Sequence, residues 1–448
     1  MENVEIKSTD MILAENQYYS MDCYETKVNN NVLVVGAAGT GKTRSIVTPN
    51  LLQACGSYVI SDPKGNLYNL YGDYLREKGY EVKLLNFDQP EKSCHYNFFR
   101  YIRCEKDILK IAHMMVYNNE GNFRQDPFWD KAGEILLSCI ISYLWKFRPV
   151  HEQTLESVMK LIDCCQLNEG IDNIDSPFDR LMADIAKRDP HGFTYKQYQK
   201  FRVGAIKTLK SILITLSSNL GKYDLQSIND MMAFDDIDIP SIGREKTAIF
   251  VVVSDTDHSM DDLANIFYTQ AMGELCYEAD NHCEDYRLPM DVRFILDDFA
   301  TNCKIEEFPR MISSVRSRGI SAMLMIQAES QLEKAYYRDS STIIGNCDTY
   351  IYLGGNDIDT AENVARRCNL PLNKILYMPV ETNWIFRRGQ HPVNGVNFKL
   401  EPFLKTRMPE KEKPQERDVT LEDVERWADD LYDMDEEFRE MVDSGEIK

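Results

Sequence analysis

The stretch that most restricts this chain is Val32-Leu33-Val34-Val35, running directly into Gly36-Ala37-Ala38-Gly39-Thr40-Gly41-Lys42-Thr43. Four apolar residues read as a strand buried on both faces, and the loop after them fits the G-x-x-x-x-G-K-T pattern of a P-loop ahead of helix-forming sequence. Each residue type has a physical reason to be there. The glycines let the backbone N–H groups of residues 36–43 turn inward around phosphate oxygens, and the helix that follows points its positive dipole end at the same place. Lys42 adds a mobile positive charge, and Thr43 offers a hydroxyl suited to Mg2+. The loop therefore predicts a nucleotide site at the end of a buried parallel strand, in an α/β fold.

Further strands follow at Tyr58–Ile60, at "YEVKLLNF" and, after a long interval, at "TAIFVVVSDTD", "RFILDD", "SAMLMIQ" and "TYIYLGG". Between them, from about residue 105 to 225, the chain shows helical periodicity and few strand signals. This predicts an N-terminal extension (1–30), a P-loop domain (31–104 and 226–408), an inserted all-α domain (105–225), and a linker with an acidic tail (409–448). The longest apolar run, Ile135 to Trp145, is too short to span a bilayer. No basic region followed by an apolar stretch marks the N-terminus as a secretory signal. The 12 cysteines are scattered without a C-x-x-C pair, which fits a reducing compartment and indicates neither a disulfide framework nor a zinc site.

Acidic and polar residues at strand ends complete a candidate site. Asp297 and Asp298 follow Phe294-Ile295-Leu296, and a P-loop enzyme needs an acid at the end of a second buried strand to hold its magnesium. Asp297 takes that place. Asp298 occupies the next position, where a water-activating glutamate is the usual choice; its side chain is one methylene shorter, so it is either a base with adjusted geometry or a weak one. Gln327 ends "SAMLMIQ" and is placed to sense the terminal phosphate or the attacking water. Asp62, after Tyr58–Ile60, borders the crevice or simply makes a turn with Pro63 and Gly65. Arg316 and Arg318 lie between strands and have three readings: a finger reaching a neighbour's nucleotide, a polyanion contact in a pore, or a solvated surface.

The net charge of −21 argues against a chain that coats nucleic acid by general attraction. The excess is uneven, because residues 418–448 hold 13 acids against 3 bases, a net of −10. Against that background "YKQYQKFRVGAIKTLK" is basic. On one continuous helix Lys196, Lys200, Lys207 and Lys210 would fall within an arc of about 80°. With Tyr195 and Tyr198 nearby, this stripe is a candidate surface for tracking and stacking on DNA. The tail from Thr420 to Met441, with apolar residues among its acids, is a candidate dock for a basic protein.

In order and spacing, "VVGAAGTGKT", "SYVISDPKGNLY", "DPFWDKAGEILL", "TAIFVVVSDTD", "ILDDFATN", "RSRGISAMLMIQAESQL", "IIGNCDTYIYLGG" and "ETNWIFRRGQHPV" resemble the type IV secretion coupling proteins of bacterial conjugation, the TraG/TraD-type family. The resemblance covers about residues 30 to 400. It implies a RecA-like P-loop NTPase domain with an inserted all-α domain, and a DNA-stimulated ATPase using ATP and Mg2+. It also implies a homo-hexameric ring that handles single-stranded DNA without regard to sequence, and partners in a relaxase or accessory protein and a secretion-channel or membrane subunit. Lys42 and Thr43 would bind phosphate and Mg2+, Asp297 the metal, Asp298 the water, and Gln327 would be the polar sensor. Family members usually carry N-terminal membrane helices, and this sequence shows none; the expectation is a cytoplasmic protein held at the inner face of the membrane through a partner. The competing readings are a HerA/FtsK-like DNA translocase outside secretion, which the helical insertion with "DPFW" disfavours, and a nucleotide-switched recruiting adaptor with little hydrolysis.

Overall fold

The computed structural model describes residues 6–117, 127–166, 176–254, 256–301 and 304–408. The acidic tail and its docking role lie outside the described residues. By internal packing the chain forms two compact units, Met1–Leu400 and Glu401–Lys448. The architecture below is that of the first.

Strands β1 (Asp10–Ala14) and β2 (Gln17–Ser20) form an antiparallel hairpin. The strands β3 (Val32–Val35), β4 (Ser57–Ser61), β5 (Glu81–Asn86), β6 (Thr247–Val252), β7 (Val292–Leu296), β8 (Ile320–Ile326) and β9 (Thr349–Tyr352) follow, and β10 (Thr382–Arg387) and β11 (Val393–Val396) close the series. The last nine build one sheet in the order β11-β10-β9-β3-β8-β7-β4-β6-β5. From β9 to β5 all pairings are parallel, while β10 is antiparallel to β9 and to β11. Every residue of β3, β4, β6 and β7 is buried, as continuous apolar runs require of a sheet covered on both faces. Among the described strands β10 alone alternates between buried and half-buried positions, near the sheet's edge.

No strand interrupts the chain between β5 and β6 among the described residues. The helix Phe128–Phe147 is the spine of this segment: its apolar run is buried against the helices Glu105–Tyr117, Leu155–Asp163, Phe193–Arg202 and Ile206–Leu220. No described helix is long and apolar enough to cross a membrane. Lys222 and Tyr223 close the segment onto the buried carboxylate of Asp262, at the start of the helix Asp261–His282. The all-α region thus shares one compact unit with the sheet instead of standing apart.

Within the N-terminal extension expected over residues 1–30, β1 is wholly buried and Asn50 grips its backbone: Asn50 Oδ1 accepts from Ile12 N at 3.0 Å, and Nδ2 donates to Ile12 O at 2.7 Å and Ile46 O at 2.8 Å. One expectation needs correction. The lysine stripe does not lie on one helix. The chain breaks at Val203-Gly204-Ala205, where Ala205 is extended, so Lys196 and Lys200 sit on Phe193–Arg202 and Lys207 and Lys210 on Ile206–Leu220. Glycine is a poor helix former, and the Leu209 side chain packs close over it: a Cβ at position 204 would meet Leu209 Cδ2 at 3.1 Å.

Candidate functional site

Because β3, β8, β7 and β4 are parallel neighbours, their carboxyl ends line up along one edge of the sheet. This brings the P-loop, Gln327, Asp297-Asp298 and Asp62 side by side. In open α/β sheets that edge is where ligands bind.

The P-loop backbone is pinned from both sides. Gly36 N donates to Ile326 O at 3.1 Å, and Ala37 N donates to Gly354 O at 3.0 Å. Gly39 and Gly41 have φ of 79° and 89°, in the left-handed region that glycine alone enters freely. At Gly36 a side chain would meet Thr40 Oγ1 at 2.6 Å and Leu353 Cβ at 2.9 Å. Ala38 and Gly39 form the exposed tip. The helix after the loop begins with a π turn, Thr43–Val47, whose wide register is marked by Thr48 N bonding to Thr43 O. Pro49 accounts for it: the proline ring crowds the carbonyl four residues back and donates no hydrogen bond, and a π turn relieves both.

Lys42 is buried and its Nζ donates to Gly36 O at 2.7 Å and Ala37 O at 3.3 Å. Burial lowers its pKa, opposed by the charges of Asp297 and Asp298. Thr43 Oγ1 donates to Asp297 Oδ2 at 2.8 Å, joining the two groups expected at the metal. The Asp297 pKa is pushed up by burial first and by the Asp298 charge, with the Thr43 hydrogen bond and Lys42 pulling the other way. Asp298 stands in the left-handed region with φ of 48°, which Asp tolerates better than most residues. Gln327 Nε2 donates to Asp298 Oδ1 at 3.4 Å, a long contact between two side chains at the rim.

Asp62 has a structural role, accepting from Tyr68 N at 2.9 Å at the start of the helix Asn66–Glu77. Burial raises its pKa against the backbone N–H groups of Tyr68, Leu67 and Asn66, and the Asp297 charge adds to the rise. It therefore borders the acids electrostatically while serving as a cap. Arg316 and Arg318 lie at the opposite edge, before the amino end of β8. Arg318 is held by Asp280 through two bonds of 2.8 Å, and Arg316 Nη2 donates to Cys23 O at 2.7 Å. Lys196, Lys200, Lys207 and Lys210 belong to the helical segment and join none of these contacts. Tyr195 and Tyr198 are half-buried, with ring centroids 6.0 Å apart, and Tyr198 donates to Asp179.

Two contributors to the site escaped sequence reasoning. Gly354-Gly355 backs the P-loop, Gly354 O accepting from Ala37 N at 3.0 Å and Gly355 lying where a Cβ would make ordinary van der Waals contact with Ala37; the signal was the glycine pair closing "TYIYLGG". Asn397 Nδ2 reaches Thr40 O at 3.4 Å from beyond β11, and nothing local in the sequence marks it.

Comparison with known proteins agrees with this geometry. Residues 4–369 match the family described as Type IV secretory system Conjugative DNA transfer. The chain belongs to that family. It is similar to Protein VirD4 of Rhizobium rhizogenes, 21% identical over 354 residues, covering 75% of this chain and 48% of VirD4. Protein VirD4 of Rhizobium radiobacter is 23% identical over 349 residues, covering 75% and 47%. The chain thus spans about half the length of these two relatives. In fold it is similar to the conjugative coupling protein TrwBdeltaN70 in complex with sulphate, with a TM-score of 0.65 at 16% identity over 89% of this chain and 91% of that one. The plasmid coupling protein TrwB in complex with ADP and Mg2+ gives 0.62 at 17% identity, over 88% and 90%.

Proposed function

We propose that this chain is the motor of a conjugative coupling protein: it binds ATP with Mg2+, hydrolyses it in response to DNA, and moves relaxase-bound DNA toward a type IV secretion channel. The observation that supports this most is the row of Lys42, Thr43, Gln327, Asp297 and Asp298 along one sheet edge, in a chain whose family is defined by conjugative DNA transfer.

The backbone N–H groups of residues 36–43 and the Lys42 ammonium would hold the phosphates, and Thr43 and Asp297 would hold Mg2+. The donor set fits a hard divalent cation, because the site gathers carboxylates, the Asp298 charge raising the pKa of Asp297 and the Asp297 charge that of Asp62, with a hydroxyl already joined to Asp297. When bound, Mg2+ supplies charge that neutralises the phosphate oxygens. Asp298 would accept the proton of the attacking water, with Gln327 steering its carboxylate. In a homo-hexameric ring the arginine finger would come from Arg316 or Arg318 of a neighbouring copy; Arg318 would first have to leave Asp280, which favours Arg316. Lys196, Lys200, Lys207 and Lys210 would contact single-stranded DNA without sequence preference. The acidic tail would dock the relaxase or an accessory protein. Attachment at the inner face of the membrane would run through a membrane or channel subunit.

The same geometry also favours a second reading. A short carboxylate in a left-handed conformation, joined weakly to Gln327, suits a nucleotide-switched adaptor with slow turnover. Single-turnover ATP hydrolysis with and without single-stranded DNA, compared with Lys42→Ala, separates the two. The motor reading expects DNA-stimulated turnover that Lys42→Ala abolishes; equal, negligible rates in both chains would reject it.

A further inference from the structure

At the amino ends of β7 and β8, on the edge away from the P-loop, lies a cleft of about 510 Å³ into which three arginines face. Arg293 is one of them. It is the second residue of β7 and only 6% exposed, and it lacks the partner that a buried guanidinium normally has. Its polar contact among the described residues is the thioether of Met21, and no carboxylate among them lies within ion-pair distance. Cys55 and Tyr58 beside it are neutral, and the one carboxylate whose charge reaches it, Asp291, is ion-paired with Arg287 instead. An isolated buried cation costs several kcal/mol, so such a residue is kept when something anionic offsets it.

The two neighbours point the same way. Arg287 gives one nitrogen to Asp291, while its Nη1 is buried with no hydrogen-bond partner among the described residues. Arg316 gives one nitrogen to Cys23 O and also lines the cleft. Three acids also line the wall, but each is engaged: Asp22 caps the helix Cys23–Thr26, Glu25 accepts from Ser20, and Asp291 holds Arg287. The three carboxylates balance the three guanidinium groups in formal charge, yet Arg287 Nη1 and the Arg293 guanidinium are left without an oxygen acceptor among the described residues.

We propose that this cleft is a second anion site, separate from the P-loop, that takes a phosphate-class oxyanion. A carboxylate has two oxygens and is satisfied by one arginine fork, whereas a phosphate or pyrophosphate group presents enough oxygens to accept from all three side chains at once. The volume accommodates more than one phosphoryl group. The oxyanion is either a free phosphate-type ion or the phosphate end of a nucleotide held by a second copy of this chain. The first source is independent of the motor reading, and the second rests on it.

Calorimetric titration with pyrophosphate tests the site in the full chain carrying Lys42→Ala, which weakens phosphate capture at the P-loop. One pyrophosphate should still bind, with affinity falling at least tenfold when Arg287→Gln or Arg316→Gln is added. Both arginines are half-buried and each makes one hydrogen bond to the protein through a single nitrogen, so their variants should still fold cooperatively, melting no more than a few degrees below the parent. Arg293→Met is expected to raise the melting temperature of the ligand-free chain and to abolish this binding, the opposite of what removing a structural side chain does. Absence of pyrophosphate binding in the Lys42→Ala chain, or affinity untouched by both Arg287→Gln and Arg316→Gln, would overturn the proposal. The source is read from mass measurements on chains with intact Lys42. Association driven by a non-hydrolysable ATP analogue and weakened by Arg287→Gln identifies the nucleotide of a second copy; pyrophosphate binding that leaves the mass unchanged identifies a free ion.

Discussion

At the scale of single residues, Asp298 is the side chain that would set the rate of turnover in the motor we propose. Its backbone is left-handed and its carboxylate meets Gln327 at the far limit of a hydrogen bond. A glutamate would add a methylene to a position already in contact with its partner, from a backbone conformation that suits Asp better. Displacing a reacting group by about 1 Å costs on the order of a hundredfold in rate. Asp298→Glu is therefore expected to lower kcat by roughly tenfold or more while leaving nucleotide affinity unchanged, measured as steady-state phosphate release. A gain in kcat would mean that the site is a slowed version of one built around glutamate. At this scale the sequence was highly legible. Thr43 and Asp297 meet although 254 positions separate them, because both sit where a buried strand ends on a common edge. Asp62 was only half legible: its place at the edge follows from the strand before it, but its engagement by the helix Asn66–Glu77 depends on a turn conformation that Pro63 and Gly65 do not specify alone.

At the scale of elements, the N-terminal hairpin shows what local patterning misses. The four residues Met11-Ile12-Leu13-Ala14 are too short a run to distinguish a strand from an apolar patch, and what seats them is one side chain 38 positions away. Asn50→Ala would strand Ile12 N–H and two carbonyls in a buried setting, at about 1–3 kcal/mol for each group left unmatched. The expected loss is on the order of 3 kcal/mol, read from chemical denaturation. A loss below about 0.5 kcal/mol would show that water or β2 satisfies those groups. The seven parallel strands were readable because burial on both faces writes an unbroken apolar run into the sequence. The break at Gly204 was not, since a lone glycine is tolerated inside many helices and only the packing of Leu209 over it shows why the chain turns here.

At the scale of the whole molecule, splitting the basic stripe over two helices changes how it must be tested. If DNA runs across both, reversing Lys196 and Lys200 together, or Lys207 and Lys210 together, should each weaken binding to a single-stranded oligonucleotide. Each should also reduce the salt slope by about 1.4, the value for two phosphate contacts on a single strand. Unchanged slopes in both variants would remove this face from consideration. The sheet also gives the molecule a direction. The candidate-site acids and the P-loop occupy one end of β3, β7 and β8, and the arginine-lined cleft lies at the other end of β7 and β8, about 20 Å away along strands of five to seven residues. A body with unlike ends can join them either side by side across a two-fold axis, the strands of the two copies antiparallel, or end to end. Seating one end on the other repeats a single head-to-tail step, and repetition of such a step either closes into a ring with two different faces or winds on as a filament.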